Sequence, residues 1–175
     1  MSADIEVLCL QHLGEREIQA LSEVLIDCVE GGASVSFMLP MSRAKAQAFW
    51  QSTATRLARG ELALLAARDA AGAIVGTVQL LLDQPENQPH RGDIAKMLVH
   101  RRARRRGVGA ALLAAAERQA LSLGKSLLVL DTASGDAARL YARQGWQLCG
   151  RIPGYALYPD GTPCATTVFF KCLHP

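Results

Sequence analysis

The sequence predicts an α/β fold in which a central mixed, mostly antiparallel sheet is flanked by helices. Segments with helical apolar spacing alternate along the chain with short runs of strand-like pattern. Glycine, proline and aspartate clusters separate these segments. The 175 residues, 50% hydrophobic and 20% charged, have the length and balance of one globular domain. We therefore expect a single domain over residues 1–175.

The order of the predicted elements follows from their periodicity and from their stop signals. Ser42 is a candidate N-cap, and glycines follow the first three helical patterns. Helices are predicted over residues 13–30, 42–59, 107–123 and 137–143. Strands are predicted over residues 4–10, 61–68, 74–82, 94–99, 126–130, 145–151 and 166–171. The segment 153–163, PGYALYPDGTP, is predicted to be a turn-rich loop.

Composition excludes several classes of protein. No apolar run approaches the roughly 20 residues of a membrane span, and the amino terminus lacks the basic region of a secretory signal. The five cysteines contain no CxxC pair, and the four histidines contain no i, i+4 pair. We expect reduced thiols, no metal, no membrane partner and a cytoplasmic location.

The segment with the clearest chemistry is RRARRRGVGA, between the strand 94–99 and the predicted helix 107–123. Gly107 and Gly109 allow a tight turn and a close approach of the backbone to a ligand. The first N–H groups of a helix have no internal partner and favour an anion. Arginines at positions 104 to 106 would add positive charge. The segment therefore predicts a site for a phosphate or diphosphate.

Other interpretations of this segment are weaker. It lacks the Lys-Ser/Thr ending of a nucleoside-triphosphate loop and the third glycine of a dinucleotide-binding fingerprint. The run from Arg101 to Arg106 could contact nucleic acid, but aromatic residues for stacking are only 5% of the chain. A solvated basic loop is the remaining alternative.

Two motifs resemble the GCN5-related N-acetyltransferase (GNAT) family. Residues 104–109 match its Arg/Gln-x-x-Gly-x-Gly/Ala signature, and Ala137-x-x-Leu140-Tyr141 followed by Gly145-Trp146 is similar to a second family segment. The resemblance covers residues 74–171. It implies the GNAT fold, acetyl-CoA as cosubstrate and acetyl transfer to an amine.

Four further segments, GGASVSFM, AKMLV, LDTASG and PGYALYPDG, resemble the tabtoxin-resistance acetyltransferases. Members of that group acetylate a small toxin amino acid, tabtoxinine-β-lactam, so the resemblance implies toxin or antibiotic resistance. One departure is Arg105, which occupies the position of a usual glycine. The resemblance leaves the acceptor amine open.

The resemblance implies where acetyl-CoA would bind. Its pantetheine would lie along Met97, Leu98 and Val99, where the family's strand separates from the next strand and an N–H of Leu98 or Val99 would polarise the thioester carbonyl. Ser134 would either contact the cofactor or cap the following helix. The pyrophosphate would lie on the amides and side chains of Arg104, Arg105, Arg106, Gly107, Val108, Gly109 and Ala110.

Three residues are candidates for proton transfer. Tyr141 is the candidate general acid, because a phenol stays protonated at neutral pH; packing between helix and sheet is its alternative role. Asp93 and Asp131 are both candidates for the base or for the anchor of the substrate ammonium. Strand alternation predicts that Asp93 shares a side with Ala95 and Met97. Asp131 ends a buried strand, where it would face a ligand or cap the next turn.

The acceptor is predicted to be a small-molecule amine enclosed by two loops, residues 31–38 and 153–161, with Phe37 and Tyr155 as aromatic walls. No cysteine has a sequence neighbour that would activate it, so we expect direct transfer without a covalent enzyme intermediate. Acetylation of a protein N-terminus or lysine is the alternative activity. No nucleic-acid partner is expected, and a homodimer is left open.

Overall fold

The computed structural model describes residues 5–174. A seven-stranded mixed sheet is flanked by four helices, as the sequence predicts. The helices are α1 (Glu15–Glu30), α2 (Arg43–Ala58), α3 (Val108–Ser122) and α4 (Gly135–Arg143). The strands are β1 (Glu6–Leu10), β2 (Leu62–Arg68), β3 (Ile74–Leu81), β4 (Arg91–Val99), β5 (Leu127–Thr132), β6 (Gln147–Leu157) and β7 (Pro163–Cys172).

The sheet has the strand order β1-β2-β3-β4-β5-β7-β6. All neighbouring strands are antiparallel except β4 and β5, which are parallel. The β4–β5 ladder contains only three pairs, ending at Asp93 opposite Val129. Beyond this pair the two strands separate, so the remainder of β4 leaves a wedge open toward β5. The observed separation agrees with the splayed strands that the family resemblance implies.

Helices pack on both faces of the sheet and form two apolar clusters. The cluster on the α3 face includes Val75, Leu112 and Phe169, and the cluster on the α1 and α2 face includes Leu25, Trp50 and Leu64. The two helices of the second cluster cover β2, β3 and part of β4. They leave the same face of β5, β6 and β7 accessible, and this face forms a cleft.

A β-bulge changes the direction of the side chains in β4. Between Ala95 and Leu98 this strand has one more residue than β3, and Lys96 has a left-handed backbone with φ of 49°. Asp93 and Ala95 therefore line the cleft, whereas Met97 packs into the cluster under α3. The expectation that Met97 shares a side with Asp93 is wrong, because the extra residue inverts the alternation.

The helix predictions are confirmed within two residues at each end. Ser42 caps α2 by accepting a 3.1 Å hydrogen bond from the Lys45 N–H. The prediction for residues 153–163 is wrong, because β6 continues to Leu157 and β7 begins at Pro163. An irregular register between Ile152 and Ala156 accommodates the turn-forming residues inside the hairpin. Position 4 of the first predicted strand lies outside the described residues.

Candidate active site

The amino-terminal end of α3 offers free backbone donors. Gly107, its N-cap, has φ of 81°, and a Cβ built there would find nothing within 4 Å. The N–H of Ala111 donates to the Gly107 carbonyl at 3.0 Å, which begins the helical ladder. The N–H groups of Val108, Gly109 and Ala110 precede that bond and point outward from the helix end. The helix end therefore has free donors and open space, which a phosphate site requires.

Gly109 has a different role from the one predicted. A Cβ at this position would lie 3.0 Å from Cδ2 of Leu140, so the glycine allows α3 and α4 to pack closely. Arg105 has φ of 59°, in the left-handed region that favours glycine. This conformation explains why glycine is the usual residue at the position that Arg105 occupies.

Within the described residues, some arginines of the run from Arg101 to Arg106 contact other residues, and others are exposed without such contacts. Nε of Arg101 donates to Oδ1 of Asp27 at 3.0 Å, and the guanidinium of Arg102 lies 3.8 Å from Oδ2 of Asp69. Nε of Arg104 donates to the Val99 carbonyl at 3.2 Å. Arg105 and Arg106 are exposed beside the amino end of α3. The first three side chains therefore secure the loop, which leaves two cations next to the free amides.

The open edge of β4 presents backbone groups of Val99. The His100 N–H donates to the Val75 carbonyl at 2.9 Å, so the backbone groups of His100 point toward β3. In an antiparallel ladder, successive residues direct their N–H and C=O groups to opposite sides of the strand. The backbone groups of Leu98 therefore point toward β3, and those of Val99 point into the wedge. Cys28 Sγ and Arg104 Nε both approach the Val99 carbonyl from outside the sheet. Of the two predicted carbonyl-polarising residues, the geometry favours Val99.

Tyr141 is a buried residue of α4, with 3% of its surface exposed. Its ring packs against Trp146 and Phe169, with ring centroids 5.9 and 5.8 Å away. Burial and, to a smaller extent, the negative charge of Asp131 raise the pKa of Tyr141 to about 12. The phenol therefore remains protonated throughout the neutral range.

Asp131 lies in the cleft on the accessible face of the sheet. Its Oδ2 accepts a 2.6 Å hydrogen bond from the hydroxyl of Thr166 on the neighbouring β7. Two adjoining lobes, of about 310 and 260 Å³, share Asp131, Tyr155 and Thr166 in their walls. Asp131 is thus a cleft-facing carboxylate within electrostatic range of Tyr141.

Asp93 lines the second lobe but already has a cationic partner. Its carboxylate accepts a hydrogen bond from the Arg91 guanidinium. Gln84 and Gln88 also accept hydrogen bonds from that guanidinium. Because this network occupies Asp93, the two candidate aspartates have different surroundings: Asp93 is ion-paired, whereas Asp131 is bonded to a neutral hydroxyl.

The two segments predicted to enclose the acceptor are joined by hydrogen bonds, although the second of them includes the end of β6. The Ser34 hydroxyl donates to the Leu157 carbonyl at 2.9 Å, and the Leu39 N–H donates to the Pro159 carbonyl at 3.0 Å. Phe37 and Tyr155 line the larger lobe, as predicted. Phe37 also packs edge-on against Phe49, with centroids 5.2 Å apart. These contacts give the cleft a fixed outer wall.

Ser134 caps α4, accepting a 3.3 Å hydrogen bond from the Ala137 N–H. This was one of its two predicted roles.

In the part of the chain that the structure describes, no three His, Cys, Asp or Glu residues converge as a metal site. Over those same residues, no helix combines the length and hydrophobicity needed to cross a membrane.

Sequence reasoning missed Lys96 and Ser36. Nζ of Lys96 donates a 3.1 Å hydrogen bond to Oγ of Ser36, which lines the larger lobe, and lies 5.9 Å from the centroid of the Phe49 ring. Burial lowers the pKa of Lys96, and the negative charge of Asp131 opposes part of that shift. A signal was present, because Lys96 is the one charged residue in the predicted strand 94–99.

The structure combines a helix terminus with free amides, an open strand edge and an adjoining cleft. The chain belongs to the acetyltransferase (GNAT) family, whose family model matches residues 20–146. It is an acetyl-CoA-dependent N-acetyltransferase. The free amides of α3, the space at Gly107 and the unpaired edge of β4 fit acetyl-CoA.

Solved structures share this fold across nearly the whole chain. A phosphinothricin acetyltransferase from Sinorhizobium meliloti in complex with acetyl-CoA has a TM-score of 0.78 and 19% identity, with 99% of this chain and 89% of that chain covered. The Salmonella typhimurium protein yncA with its cofactor acetyl-CoA has a TM-score of 0.77 and 16% identity, with 99% and 96% covered. A ribosomal-protein-alanine N-acetyltransferase from Brucella melitensis has a TM-score of 0.77 and 23% identity, with 96% and 99% covered.

Proposed function

We propose that the chain, as one N-acetyltransferase domain over residues 1–175, acetylates the amine of a small molecule held in the cleft beside Asp131. The observation that carries this proposal is the hydrogen bond between Ser34, in the segment after α1, and Leu157, at the end of β6. It borders the larger lobe, whose volume of about 310 Å³ lies at the lower end of the range of small-molecule sites, and the lobe of about 260 Å³ adjoins it.

Acetyl-CoA supplies the activated acetyl group as a thioester. The amides at the start of α3 and the side chains of Arg105 and Arg106 hold the diphosphate, and Ser134 contributes its hydroxyl nearby. Met97, Leu98 and Val99 form the strand edge along the pantetheine. The Val99 N–H donates to the thioester oxygen and stabilises the charge that develops there.

Asp131 anchors the acceptor ammonium and receives its proton, which frees the amine lone pair for attack. A C–N bond forms as the C–S bond breaks, and the departing sulfur takes a proton from Tyr141. The second proton that the amine nitrogen loses returns to the phenolate, which restores Tyr141. Asp93 is less suited to the base role, because the Arg91 guanidinium holds its carboxylate. Phe37 and Tyr155 flank the acceptor. No enzyme nucleophile takes part, so transfer is direct.

The finer assignment that we propose is the class of toxin- or antibiotic-inactivating acetyltransferases, with an amino-acid-like acceptor such as tabtoxinine-β-lactam. Its support is the resemblance of the loop segments GGASVSFM and PGYALYPDG, which here contribute Phe37 and Tyr155 to the cleft. Acetylation of a protein N-terminus or lysine would require a groove that admits a peptide. The hydrogen bonds between the outer loops argue against such a groove.

A turnover screen with acetyl-CoA tests the proposal. The panel contains amino acids, β-lactam analogues, aminoglycosides, polyamines and short peptides, and free thiol release is measured for each. We expect turnover with compact amines and little with peptides. Turnover with peptides alone would contradict the proposal.

A further inference from the structure

Lys96 is a partly buried cation without an anionic partner. Its one hydrogen bond is to the neutral hydroxyl of Ser36, and none of the ion pairs formed within residues 5–174 includes it. An ammonium has three donors, so donor capacity remains after the Ser36 bond is made. Removing such a charge from water is costly unless an anion compensates it.

The backbone at Lys96 and Ser36 is strained at both residues. Lys96 has φ of 49° and Ser36 has φ of 76°, and Arg105 is the only other described non-glycine residue with positive φ. Such conformations persist where the surrounding structure imposes them, and they concentrate at ligand-binding sites. Two of these residues bond to each other across 60 positions of sequence, at the wall of the acceptor cleft.

Lys96 therefore contacts the wall of the cleft through Ser36, and no ion pair joins it to Asp131 within the described residues. Ser36, the partner of Lys96, and Asp131 line the same lobe of about 310 Å³. Asp131 is bonded to Thr166 rather than to Lys96. A molecule that carries an ammonium and an anionic group close together would complement both charges.

We infer that Lys96 and Ser36 bind a carboxylate of the acceptor while Asp131 faces its amine, so that the enzyme selects acceptors with both groups, of the amino-acid class. This inference rests on the proposed function and adds a specificity-determining residue to it. The hydroxyl of Ser36 orients the ammonium and offers its own proton to the second carboxylate oxygen. Lys96 takes no part in proton transfer.

The test compares L-amino acids with their L-amino acid amides, which keep the amine and lack the negative charge. We expect kcat/KM for the best free acid to exceed that of its amide by about 10- to 100-fold, the range of a charge-assisted hydrogen bond. Lys96→Met should raise KM for the acid by this factor, leave kcat nearly unchanged and leave the amide unaffected. This pattern marks a contact made equally in the ground and transition states. Lys96→Arg should restore most of the preference.

Lys125→Met is the matched control, because it changes the net charge equally. Lys125 follows the carboxyl end of α3 and donates to the Pro89 carbonyl, in the loop before β4. Calorimetry of the CoA complex with the acid and with the amide supplies a second readout that does not need turnover. Equal kcat/KM values of the wild type for acid and amide would overturn the inference. So would a preference for the acid that is unchanged in Lys96→Met. In both cases amine acetylation itself would stand. If acetyl-CoA binds but no amine is acetylated, charged or neutral, the proposed function fails and the inference fails with it.

Discussion

The indole Nε1 of Trp146 donates a 2.9 Å hydrogen bond to Oε1 of Glu117. The other carboxylate oxygen accepts from Lys171 at 2.7 Å, and Lys171 also donates to the Gln144 carbonyl. One carboxylate thus joins α3, β7 and the turn after α4. The ring that it holds packs directly against Tyr141. The proposed acid is therefore supported by a polar network on its far side.

Glu117→Gln should lower the free energy of unfolding by about 1–3 kcal/mol, because Lys171 loses its anionic partner in a largely buried position. Urea denaturation at neutral pH measures this loss. Asp136→Asn is the control, since Asp136 is 80% exposed and pairs only within α4, so its effect should stay within about 0.5 kcal/mol. Equal effects of the two substitutions would show that the network contributes no stability.

Tyr141→Phe should lower kcat by about 100-fold, because the phenolic proton is no longer available to the leaving sulfur. The ring and its contacts remain, so calorimetry should find nearly the same affinity for acetyl-CoA. Burst experiments would establish that chemistry limits the rate. Full turnover in this variant under that condition would exclude Tyr141 as the acid.

The pKa of Tyr141 also predicts a pH dependence of stability. Folding raises this pKa from about 10 to about 12, so the native state favours the protonated phenol. The stabilisation is complete below the unfolded pKa and is lost as the pH rises through the folded one. The stability difference between wild type and Tyr141→Phe should therefore be constant from about pH 7 to 9 and should change above about pH 10. Urea denaturation at several pH values measures it; a change already at neutral pH would contradict the assignment.

Asp131→Asn and Asp93→Asn separate the two candidate bases. Asp131→Asn should lower kcat/KM for the amine by about 100-fold, because the carboxylate that faces the acceptor is lost. Asp93→Asn should change it by no more than about threefold, because the Arg91 guanidinium already engages this carboxylate in a partly buried ion pair. Steady-state kinetics at saturating acetyl-CoA decide between them, and the reverse order of effects would assign the base to Asp93.

Gly107→Val should weaken acetyl-CoA binding by about tenfold or more, because a side chain and a displaced backbone disturb the free amides. Gly124→Val is a close control at the other end of α3. Its φ of 73° resembles the 81° of Gly107, and neither glycine has a neighbour within 4 Å of its Cβ position. Both variants should lose similar stability from the left-handed strain, about 1–2 kcal/mol. Calorimetric affinity that is equal in both would contradict the cradle at Gly107.

Local patterns made the helices and the free amides at the start of α3 predictable. The turns after α2 and α3 contain Gly60 and Gly124, both with positive φ, and these signals depend only on neighbouring residues. The donors at the start of α3 follow from helix geometry once the helix is located. Periodicity similarly identified most strands, including the continuous apolar run of β5.

The site details that escaped prediction depend on distant parts of the chain. The bulge at Lys96 is defined by the register against β3, and the sequence of β4 contains no signal that predicts it. Ser34 and Leu157 are 123 positions apart, so their hydrogen bond depends on the tertiary fold. Alternation similarly placed Asp93 on the same side as Ala95 but could not show that the Arg91 guanidinium bonds to its carboxylate.

The wedge in the sheet has a consequence for the mechanics of the molecule. Strands β1 to β4 and strands β5 to β7 are connected within the sheet by three backbone pairs alone. A pantetheine arm bonded along β4 would fill this gap and brace one half of the molecule against the other. We therefore expect bound acetyl-CoA to slow amide hydrogen exchange in β5 and β7 as well as at the helix terminus that holds its phosphates. Bound acetyl-CoA would then reversibly stiffen the connection between the two halves of the sheet.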